Sequence, residues 1–317
     1  MAEVGYFLSS EEHGPKALVA QGQQAERAGF GSVMISDHYH PWLESQGESP
    51  FVWSVIGALG ATTNLRVATG VTCPTVRIHP AVIAQAAATS ALLCEGRFSL
   101  GVGTGEALNE HIVGDHWPIA DVRLDMLEEA IAVMRILWLG REMSHHGRYY
   151  TVENARLYSC PEDPPPVLIS GFGPKSTSLA ARAGDGYVTT KSDRESVEHY
   201  RSEGGTGPVV GAVKVCWGAD ESACAKLAHD RWRSEALPGQ LAQELPVTTH
   251  FEQASELVTQ EMVAASISCG PDPQRHADAI GAYFAAGFDQ VYVNQIGDDQ
   301  GGFFDAFARE IRPRLGL

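Results

Sequence analysis

The stretch that decides the fold lies near the start of the chain and reads Val4-Gly5-Tyr6-Phe7-Leu8-Ser9-Ser10-Glu11-Glu12. Its first half is an apolar run that predicts a short buried strand over residues 4–8. A dinucleotide-binding open sheet needs the pattern G-x-G-x-x-G directly after its first strand, and this strand runs into two serines and two glutamates instead. Of the two ways to close a parallel α/β sheet, the sequence therefore favours a barrel over an open, doubly wound sheet.

Short apolar runs alternate with helical patterns along the chain. The predicted strands cover residues 4–8, 32–35, 65–71, 97–102, 166–170, 186–190, 209–217 and 290–295. The predicted helices cover residues 15–28, 51–62, 81–93, 123–139, 174–183, 221–235, 273–286 and 302–312. Repeated βα units without an antiparallel block predict a (β/α)8 TIM barrel, which commonly uses this length as one domain. We therefore expect a single domain over residues 1–317.

Two segments interrupt this repeat. Residues 141–160 include His145-His146-Gly147-Arg148-Tyr149-Tyr150 and predict a β-hairpin. Residues 237–268 are rich in Gln, Thr and Glu and contain Pro238 and Pro246. An insertion near the C-terminal end of a barrel strand often carries function, so this second segment is a candidate substrate lid.

The composition is that of an ordinary globular protein, with 317 residues, 44% of them hydrophobic and 20% charged, and a formal charge of −16. No run of Lys and Arg exceeds two residues, which argues against nucleic acid and acidic membranes as partners. No segment reaches the roughly 18 apolar residues of a membrane span, and the N-terminus lacks a secretory signal pattern. Six cysteines show no C-x-x-C spacing. These features predict a reduced, cytoplasmic protein that acts on a small molecule.

In such a barrel, functional side chains gather where strands end and βα loops begin. Candidate residues follow the first six predicted strands. They are Glu11 after the first strand; Asp37, His38, His40 and Trp42 after the second; Thr72 and Thr75 after the third; Thr104, Glu106 and Asn109 after the fourth; Ser170, Gly171 and Gly173 after the fifth; and Thr189, Thr190 and Lys191 after the sixth. We expect all of them to converge on one mouth of the barrel.

His38 is the strongest candidate for a catalytic group, because an imidazole can act as a general base near neutral pH. The alternative is a histidine that only caps a loop. Trp42 is either a ring beside that base or a core residue. Glu106 either lies beside a flat ligand or is the N-cap or a first-turn acid of the helix that follows. The residues by themselves leave these alternatives open.

The stretch Ser170-Gly171-Phe172-Gly173-Pro174-Lys175-Ser176 joins a predicted strand to a helix that begins at Pro174. Free N–H groups at a helix start, beside two glycines, can bind an anion. A metal site is not predicted, because H-E-x-x-H is absent and His145 and His146 would point to opposite faces of a strand. A serine nucleophile is not predicted either, since the chain has no G-x-S-x-G elbow.

Three blocks of the sequence together resemble the F420-dependent glucose-6-phosphate dehydrogenase family, which belongs to the luciferase-like superfamily of barrels. They are Ser36-Asp37-His38-Tyr39-His40-Pro41-Trp42, Pro80-Ala81-Val82-Ile83-Ala84-Gln85 and Gly101-Val102-Gly103-Thr104-Gly105-Glu106-Ala107-Leu108-Asn109-Glu110. Ala183-Gly184-Asp185-Gly186 and Asp299-Gln300 are similar to the same family. The similarity covers nearly the whole chain and implies that coenzyme F420, a deazaflavin, lies at the C-terminal mouth of the barrel.

The resemblance also implies roles for individual residues. His38 would take the proton of a substrate hydroxyl as hydride leaves the adjacent carbon, Trp42 would stabilise the developing state, and Glu106 would manage a proton on the deazaflavin ring. The residues implied on the substrate side are Glu11, Thr190 and Lys191. The residues implied to hold the cofactor are Asp37, Gly70, Val71, Thr104, Gly105, Asn109, Ser170, Gly171, Phe172 and Gly173. The family further implies a non-proline cis bond at Gly70-Val71 and a homodimer.

The basic residues that hold the substrate phosphate in that family are not matched here. Thr190 matches the family's threonine, but Lys191 is out of register with a lysine. Gln243-Glu244 and Gln260-Glu261 stand near the places where two more basic residues are expected. Because charge-assisted contacts to a phosphate are strong, their loss predicts an alcohol or sugar-like substrate other than glucose-6-phosphate.

Two other functions remain open at this point. The same barrel supports FMN-dependent monooxygenases and reductases, although the blocks quoted above favour the deazaflavin. A non-catalytic ligand-binding barrel is the second alternative, and the joint presence of His38, Trp42 and Glu106 argues against it. The direction of hydride transfer is open as well, since one histidine can serve as base and as acid.

Overall fold

The computed structural model describes residues 2–317 and shows a closed ring of parallel strands surrounded by helices. The strands are β1 (Glu3–Leu8), β2 (Ser32–Ile35), β3 (Arg66–Thr69), β4 (Phe98–Val102), β5 (Met143–His146), β6 (Thr151–Ala155), β7 (Val167–Ser170), β8 (Gly186–Thr189), β9 (Val209–Cys216), β10 (Ser268–Cys269) and β11 (Gln290–Gln295). The short β10 adds two residues to the edge of β9.

Eight strands form the barrel in the order β1, β2, β3, β4, β7, β8, β9 and β11, and β11 pairs again with β1. All eight neighbouring pairs are parallel. The pairing of β8 with β9, in which Tyr187 lies opposite Val209, completes the ring. The predicted (β/α)8 TIM barrel is confirmed.

Helices cover the outside of the barrel and occupy several loops. The helices are α1 (Pro15–Arg27), α2 (Val52–Thr62), α3 (Pro80–Leu93), α4 (Ala107–Glu110), α5 (Ala120–Leu137), α6 (Pro174–Ala183), α7 (Arg194–Ser202), α8 (Glu221–Trp232), α9 (Leu241–Glu244), α10 (Thr248–Ala254), α11 (Gln260–Ser266), α12 (Pro273–Ala286), α13 (Gln300–Ala306) and α14 (Arg312–Arg314). Short 3-10 turns lie at His111–Val113 and Arg233–Ala236, and a π-helical turn at Phe307–Ile311 joins α13 to α14.

Several predicted elements have the observed bounds, among them β2, β11, α6 and α12. The predicted helix over 221–235 is α-helical only as far as Trp232 and continues as a 3-10 turn. Helix α7 was not predicted, because it is polar almost throughout and buries only Val197 and Tyr200. Its start is marked by Asp193, whose side chain accepts a hydrogen bond from the Ser196 N–H.

The two segments that interrupt the repeat have different structures. Strands β5 and β6 pair antiparallel, which confirms the hairpin predicted within residues 141–160. Residues 237–268 contain the three short helices α9, α10 and α11. This second stretch is called the lid segment below.

Side chains of the barrel strands alternate between the barrel interior and the helices outside. The interior layer contains Met34, Ala68, Leu168, Val188, Val210 and Tyr292. Gly5 leaves room for this layer, since a Cβ atom there would lie 2.4 Å from the Tyr292 ring. Because all barrel strands run the same way, their carboxyl ends open at a single mouth. Within residues 2–317, no helix has both the length and the apolar character that crossing a membrane requires.

Candidate active site

Glu11, His38, Trp42 and Asn109 meet at the carboxyl end of the barrel. Glu11 follows β1, His38 and Trp42 follow β2, and Asn109 lies in α4 after β4. The His38 Nε2 atom lies 3.5 Å from Oε1 of Glu11. The His38 Nδ1 atom lies 3.2 Å from Nδ2 of Asn109. The Trp42 ring centroid is 4.9 Å from that of the imidazole, with the two planes at 61°. The expected convergence of these residues is observed.

Two serine hydroxyls hold the Glu11 carboxylate in place. Ser36 Oγ donates to Glu11 Oε2 at 2.6 Å, and Ser9 Oγ donates to the same oxygen at 3.0 Å. Burial alone would raise the pKa of the Glu11 carboxyl, but the charge of His38 and the bond from Ser36 outweigh it and hold the pKa below its usual value. Glu11 is therefore a charged acceptor next to Nε2 of His38.

Trp42 is half-buried and contacts both the histidine and the lid segment. Its ring centroid lies 5.2 Å from that of Phe251 in α10, in an edge-to-face arrangement. Leu43, Leu108 and Phe251 form a small apolar cluster against which Trp42 packs. The ring thus joins the lid segment to the candidate base and is not part of the barrel core.

Asp37 is buried, and both of its carboxylate oxygens are already engaged. Thr72 Oγ1 donates to Oδ2 at 2.7 Å, and Arg77 Nη2 donates to Oδ1 at 2.9 Å. Arg77 also lies 3.5 Å from the buried carboxylate of Glu110, and its backbone N–H donates to Glu110 at 2.6 Å. Burial raises the pKa of Glu110 to about 7. One guanidinium therefore offsets two buried carboxylates directly beneath the His38 loop.

The sequence reasoning missed Arg77 and Glu110, although both lie close to residues it singled out. Glu110 is the last residue of a block that was quoted for the family resemblance. Arg77 stands in the loop after β3, where a basic residue in a mostly acidic chain was the available signal.

Glu106 stands directly before α4 but does not cap it. Its backbone is extended at the N-cap position, and its side chain accepts no capping hydrogen bond from the helix. The side-chain amide of Asn109 donates to Glu106 Oε2 at 3.4 Å instead. Glu106 thus occupies the N-cap position, as one of the two interpretations expected, but its carboxylate contacts Asn109 and does not cap the helix.

The loop between β7 and α6 has an open backbone. Gly173 is the N-cap of α6, which starts with Pro174, and a Cβ atom on Gly173 would meet nothing within 4 Å. The Phe172 side chain is exposed, and Ser170 is half-buried. Lys191 Nζ lies 3.4 Å from the Phe172 carbonyl oxygen, so a positive charge stands next to this loop. Thr190 is exposed at the end of β8, and its carbonyl accepts a bond from the Tyr283 hydroxyl at 2.6 Å.

Other parts of the mouth fit a flat ligand with polar edges. The peptide bond between Gly70 and Val71 is cis, as predicted. Gly105 has a φ of +86°, and a Cβ atom there would lie 3.0 Å from Glu110, so only glycine suits the turn next to Thr104. Thr75 Oγ1 and Asn294 Oδ1 are buried and find no hydrogen-bond partner among residues 2–317. Such atoms are available to a ligand's own donors and acceptors.

Three of the basic side chains around the lid segment are paired with carboxylates. Arg123, which is fully buried, donates to Glu244 at 3.1 Å and to Gln243 at 3.2 Å. Lys214 Nζ lies 2.7 Å from Glu235. The remaining pair is Arg233 with Glu252. Lys214 was missed by the sequence reasoning, although a lysine within the apolar strand β9 is an unusual signal.

Glu12, next to Glu11, is a buried carboxyl that the sequence reasoning also missed. Trp232 Nε1 donates to its Oε1 at 2.6 Å, and the Gly297 N–H donates to its Oε2 at 3.2 Å. Burial raises the pKa of Glu12 from 4.5 to about 7, against these two hydrogen bonds. Glu12 thus ties the loop after β1 to α8 and to the loop after β11.

We predict that Glu12→Gln gains stability relative to the unchanged protein as pH rises from about 5 to about 8. Because the folded pKa lies above the unfolded one, the stability contributed by Glu12 is complete below about pH 4.5 and is lost as pH rises through about 7. Glutamine cannot titrate and escapes this loss. Melting temperatures over this range test the prediction, with the exposed Glu142→Gln as control. A difference between Glu12→Gln and the unchanged protein that does not vary with pH would contradict it.

Comparisons with known proteins agree with this geometry. Residues 1–290 match the model of the luciferase-like monooxygenase family. An F420-dependent glucose-6-phosphate dehydrogenase of Microbacterium testaceum is 35% identical, over 98% of this chain and 96% of the relative. An F420-dependent hydroxymycolic acid dehydrogenase of Mycobacterium tuberculosis is 37% identical, over 98% of this chain and 88% of the relative.

A solved structure gives the same picture. It is an F420-dependent secondary alcohol dehydrogenase in complex with an F420-acetone adduct, and it superposes with a TM-score of 0.91 over 99% of both chains at 29% identity. The similarity to these enzymes therefore spans almost the whole chain. The chain belongs to the luciferase-like monooxygenase family and, within it, to the family of these F420-dependent dehydrogenases.

Proposed function

We propose that the protein is an F420-dependent oxidoreductase that transfers hydride between a hydroxyl-bearing carbon of its substrate and the deazaflavin ring. Two relatives at 35% and 37% identity and a solved structure at 29% identity, each matching almost the full chain, are dehydrogenases that depend on this coenzyme. The observation that carries the proposal is the placement of His38 at the mouth, with Nε2 beside the Glu11 carboxylate and the ring beside Trp42. When bound, the deazaflavin would accept or donate the hydride.

The coenzyme would be held by residues of four strand ends. They are Asp37, Gly70, Val71, Thr104, Gly105, Asn109 and the loop Ser170, Gly171, Phe172 and Gly173. The open N-terminus of α6 suits an anionic tail. Lys191, which we place on the substrate side with Thr190, lies beside the same loop. Asp37 would act mainly by fixing the backbone, since Thr72 and Arg77 already occupy both of its oxygens.

The chain's own residues would manage the protons of the reaction. His38 would take the substrate's hydroxyl proton during oxidation and return it during reduction. Glu11 would stabilise the positive charge that His38 then carries, because its carboxylate lies 3.5 Å away. Trp42 would cover the reacting centre and exclude water. Glu106 would donate a proton to the deazaflavin ring or accept one from it.

The paired basic residues favour an uncharged substrate over glucose-6-phosphate. Phosphate recognition needs cations that are free to make charge-assisted bonds. Near the lid segment, Lys214, Arg233 and Arg123 each face a glutamate, namely Glu235, Glu252 and Glu244. A phosphate would have to displace these carboxylates. An alcohol or a neutral sugar-like hydroxyl compound would not, and Thr190 at the end of β8 would line its site.

We further propose that residues 1–317 act as a single cytoplasmic domain, with the lid segment closing over the mouth. The contact between Phe251 and Trp42 supports this role for the lid segment, because it places α10 directly against the candidate site. The formal charge of −16 is compatible with a protein that contacts neither nucleic acid nor membrane.

A homodimer is the proposed assembly, formed by the apolar face of α2 and α3. Phe51 and Val82 are each more than half exposed there, beside the exposed Leu92 and Leu93.

We predict that Val82→Glu halves the molar mass measured by light scattering, because it buries a charge in the interface. Leu257→Glu, at an exposed leucine between α10 and α11, should leave the mass unchanged. A monomeric mass for the unchanged protein would contradict the proposal.

Titration of the purified protein with F420 and, separately, with FMN tests the proposed coenzyme. We expect F420 to bind and to be displaced poorly by FMN. Tight binding of FMN together with no binding of F420 would overturn the proposal in favour of a flavin-dependent monooxygenase or reductase.

A further inference from the structure

The geometry points to Asn109 as a positioning residue that decides which ring nitrogen of His38 carries the proton when the imidazole is neutral. This inference rests on the proposed function only in that it takes His38 to be the base. It assigns to Asn109 a task besides contact with the coenzyme.

The orientation of the Asn109 amide is fixed by backbone donors. Its Oδ1 accepts hydrogen bonds from the N–H groups of Tyr39 at 2.9 Å and His40 at 3.1 Å. A backbone N–H can only donate, so the atom that faces these two groups must be the oxygen. The Nδ2 group therefore faces the opposite way, toward His38 Nδ1 at 3.2 Å and Glu106 Oε2 at 3.4 Å.

His38 Nδ1 lies between one obligate donor and one obligate acceptor. Asn109 Nδ2 can only donate to it, while the His40 carbonyl, also at 3.2 Å, can only accept from it. A proton on Nδ1 would donate to the His40 carbonyl but would point at the Asn109 amide donor, so that the Asn109 hydrogen bond is lost. A proton on Nε2 would do the reverse. The two neutral tautomers of His38 thus have different partners at the same atom.

The surroundings of Nε2 decide which of the two tautomers is favoured. Nε2 faces the Glu11 carboxylate at 3.5 Å, and a carboxylate favours a proton on the nitrogen that faces it. Asn109 and Glu11 therefore both favour the Nε2–H tautomer, and only the His40 carbonyl favours Nδ1–H. Two more groups lie near the ring: Trp42, which has no charge, and Glu106, whose carboxylate contacts the Asn109 amide. The charge of Lys214 helps to hold the pKa of Glu11 down, so the Glu11 carboxylate stays ionised.

In the resting state, Nε2 of His38 therefore already carries a proton and cannot accept one from a substrate hydroxyl. Nε2 can take a substrate proton only when Nδ1 carries the ring's other proton. The proton must therefore leave Nε2 and appear on Nδ1 before the alcohol is deprotonated, and Asn109 loses its bond to the ring in that step. Because the same Nδ2 group also contacts Glu106, this shift links the protonation of His38 to the residue proposed to serve the deazaflavin ring.

The direct test is the tautomer of His38, measured by nitrogen-15 NMR of the imidazole in the purified protein without coenzyme. His38→Gln identifies the signals by their loss. We expect Nε2–H in the unchanged protein and Nδ1–H in Asn109→Asp, which keeps an oxygen toward the two backbone N–H groups and turns the donor into an acceptor. A Nδ1–H tautomer in the unchanged protein would overturn the inference, and so would the same tautomer in both proteins.

A second readout uses the pH dependence of kcat/KM for alcohol oxidation. In Asn109→Asp, the new carboxylate stabilises a proton on Nδ1, so we expect the acidic limb to move up by about one to two pH units. Gln46→Glu is the matched control. Gln46 Oε1 accepts from the N–H groups of Trp42 and Leu43 in the same loop but does not touch His38, so the limb should stay in place. Equal shifts in both variants would show a general charge effect and contradict the inference.

The two tests separate this inference from the proposed function. If no alcohol is turned over with F420, the proposed function fails while the NMR result still decides the role of Asn109. If turnover is found and the tautomer does not respond to Asn109→Asp, the inference fails by itself.

Discussion

His38→Gln is expected to lower kcat by about 10²–10⁴-fold, the usual contribution of a positioned general base. Glutamine has a similar length and can keep a hydrogen bond with Asn109, but it cannot take up a proton near neutral pH. The site loses proton transfer without losing its shape. The measurement is kcat for alcohol oxidation with F420, together with the dissociation constant of the coenzyme, which should change little.

The neighbouring histidine in the same loop provides the control. His40 Nδ1 lies 2.9 Å from the Leu108 carbonyl oxygen, and its ring stacks on that of His111, away from His38. We expect His40→Gln to keep kcat within a few-fold of the unchanged protein. A His38→Gln variant with unchanged kcat would show that another group accepts the proton. A protein with no activity before or after the change would be a binding barrel.

Arg77→Met is expected to have the largest effect on stability, a loss of about 3–5 kcal/mol in the free energy of unfolding. Arg77 is almost completely buried between the carboxylates of Asp37 and Glu110, which are themselves buried. Methionine has a comparable length but no charge, so the Asp37 carboxylate would remain in the interior without its counter-ion. Glu110, whose pKa is about 7 even beside Arg77, would have to take up a proton on folding. Denaturant unfolding at neutral pH measures the loss.

An exposed arginine gives the comparison for that experiment. Arg135 pairs with Asp185 at 3.1 Å, but both side chains are more than 40% exposed, so Arg135→Met should cost at most about 1 kcal/mol. Similar losses for the two variants would contradict the account of the network. Because Asp37 precedes His38, we also expect Arg77→Met to reduce activity. Adding Glu110→Gln to Arg77→Met should restore part of the lost stability.

Local patterns in the sequence predicted much of the fold. The three consecutive apolar positions of β2, Val33, Met34 and Ile35, and the proline that opens α6, are signals carried within one element. Helix α7 was missed because its stability comes from packing Val197 and Tyr200 against other elements and not from a long apolar stripe. The bounds of α8 were set too late because the chain tightens into a 3-10 turn after Trp232.

The site shows the same division between local and long-range information. His38, Trp42, Glu106 and Asn109 were found because a parallel barrel brings strand ends together whatever the loop lengths. The partners of these residues could not be predicted in that way. Arg77 is 40 residues from Asp37 in sequence and Arg123 is 121 from Glu244, so these contacts depend on how loops pack after the barrel has formed.

The central proposal is that this barrel transfers hydride between an uncharged alcohol and F420. It is tested most directly by the initial rate of loss of the oxidised deazaflavin's absorbance, with purified protein and either a neutral secondary alcohol or glucose-6-phosphate. The account predicts turnover with the alcohol, little with the sugar phosphate, and loss of turnover in His38→Gln. Robust turnover of glucose-6-phosphate, or turnover of the alcohol that survives His38→Gln, would contradict it.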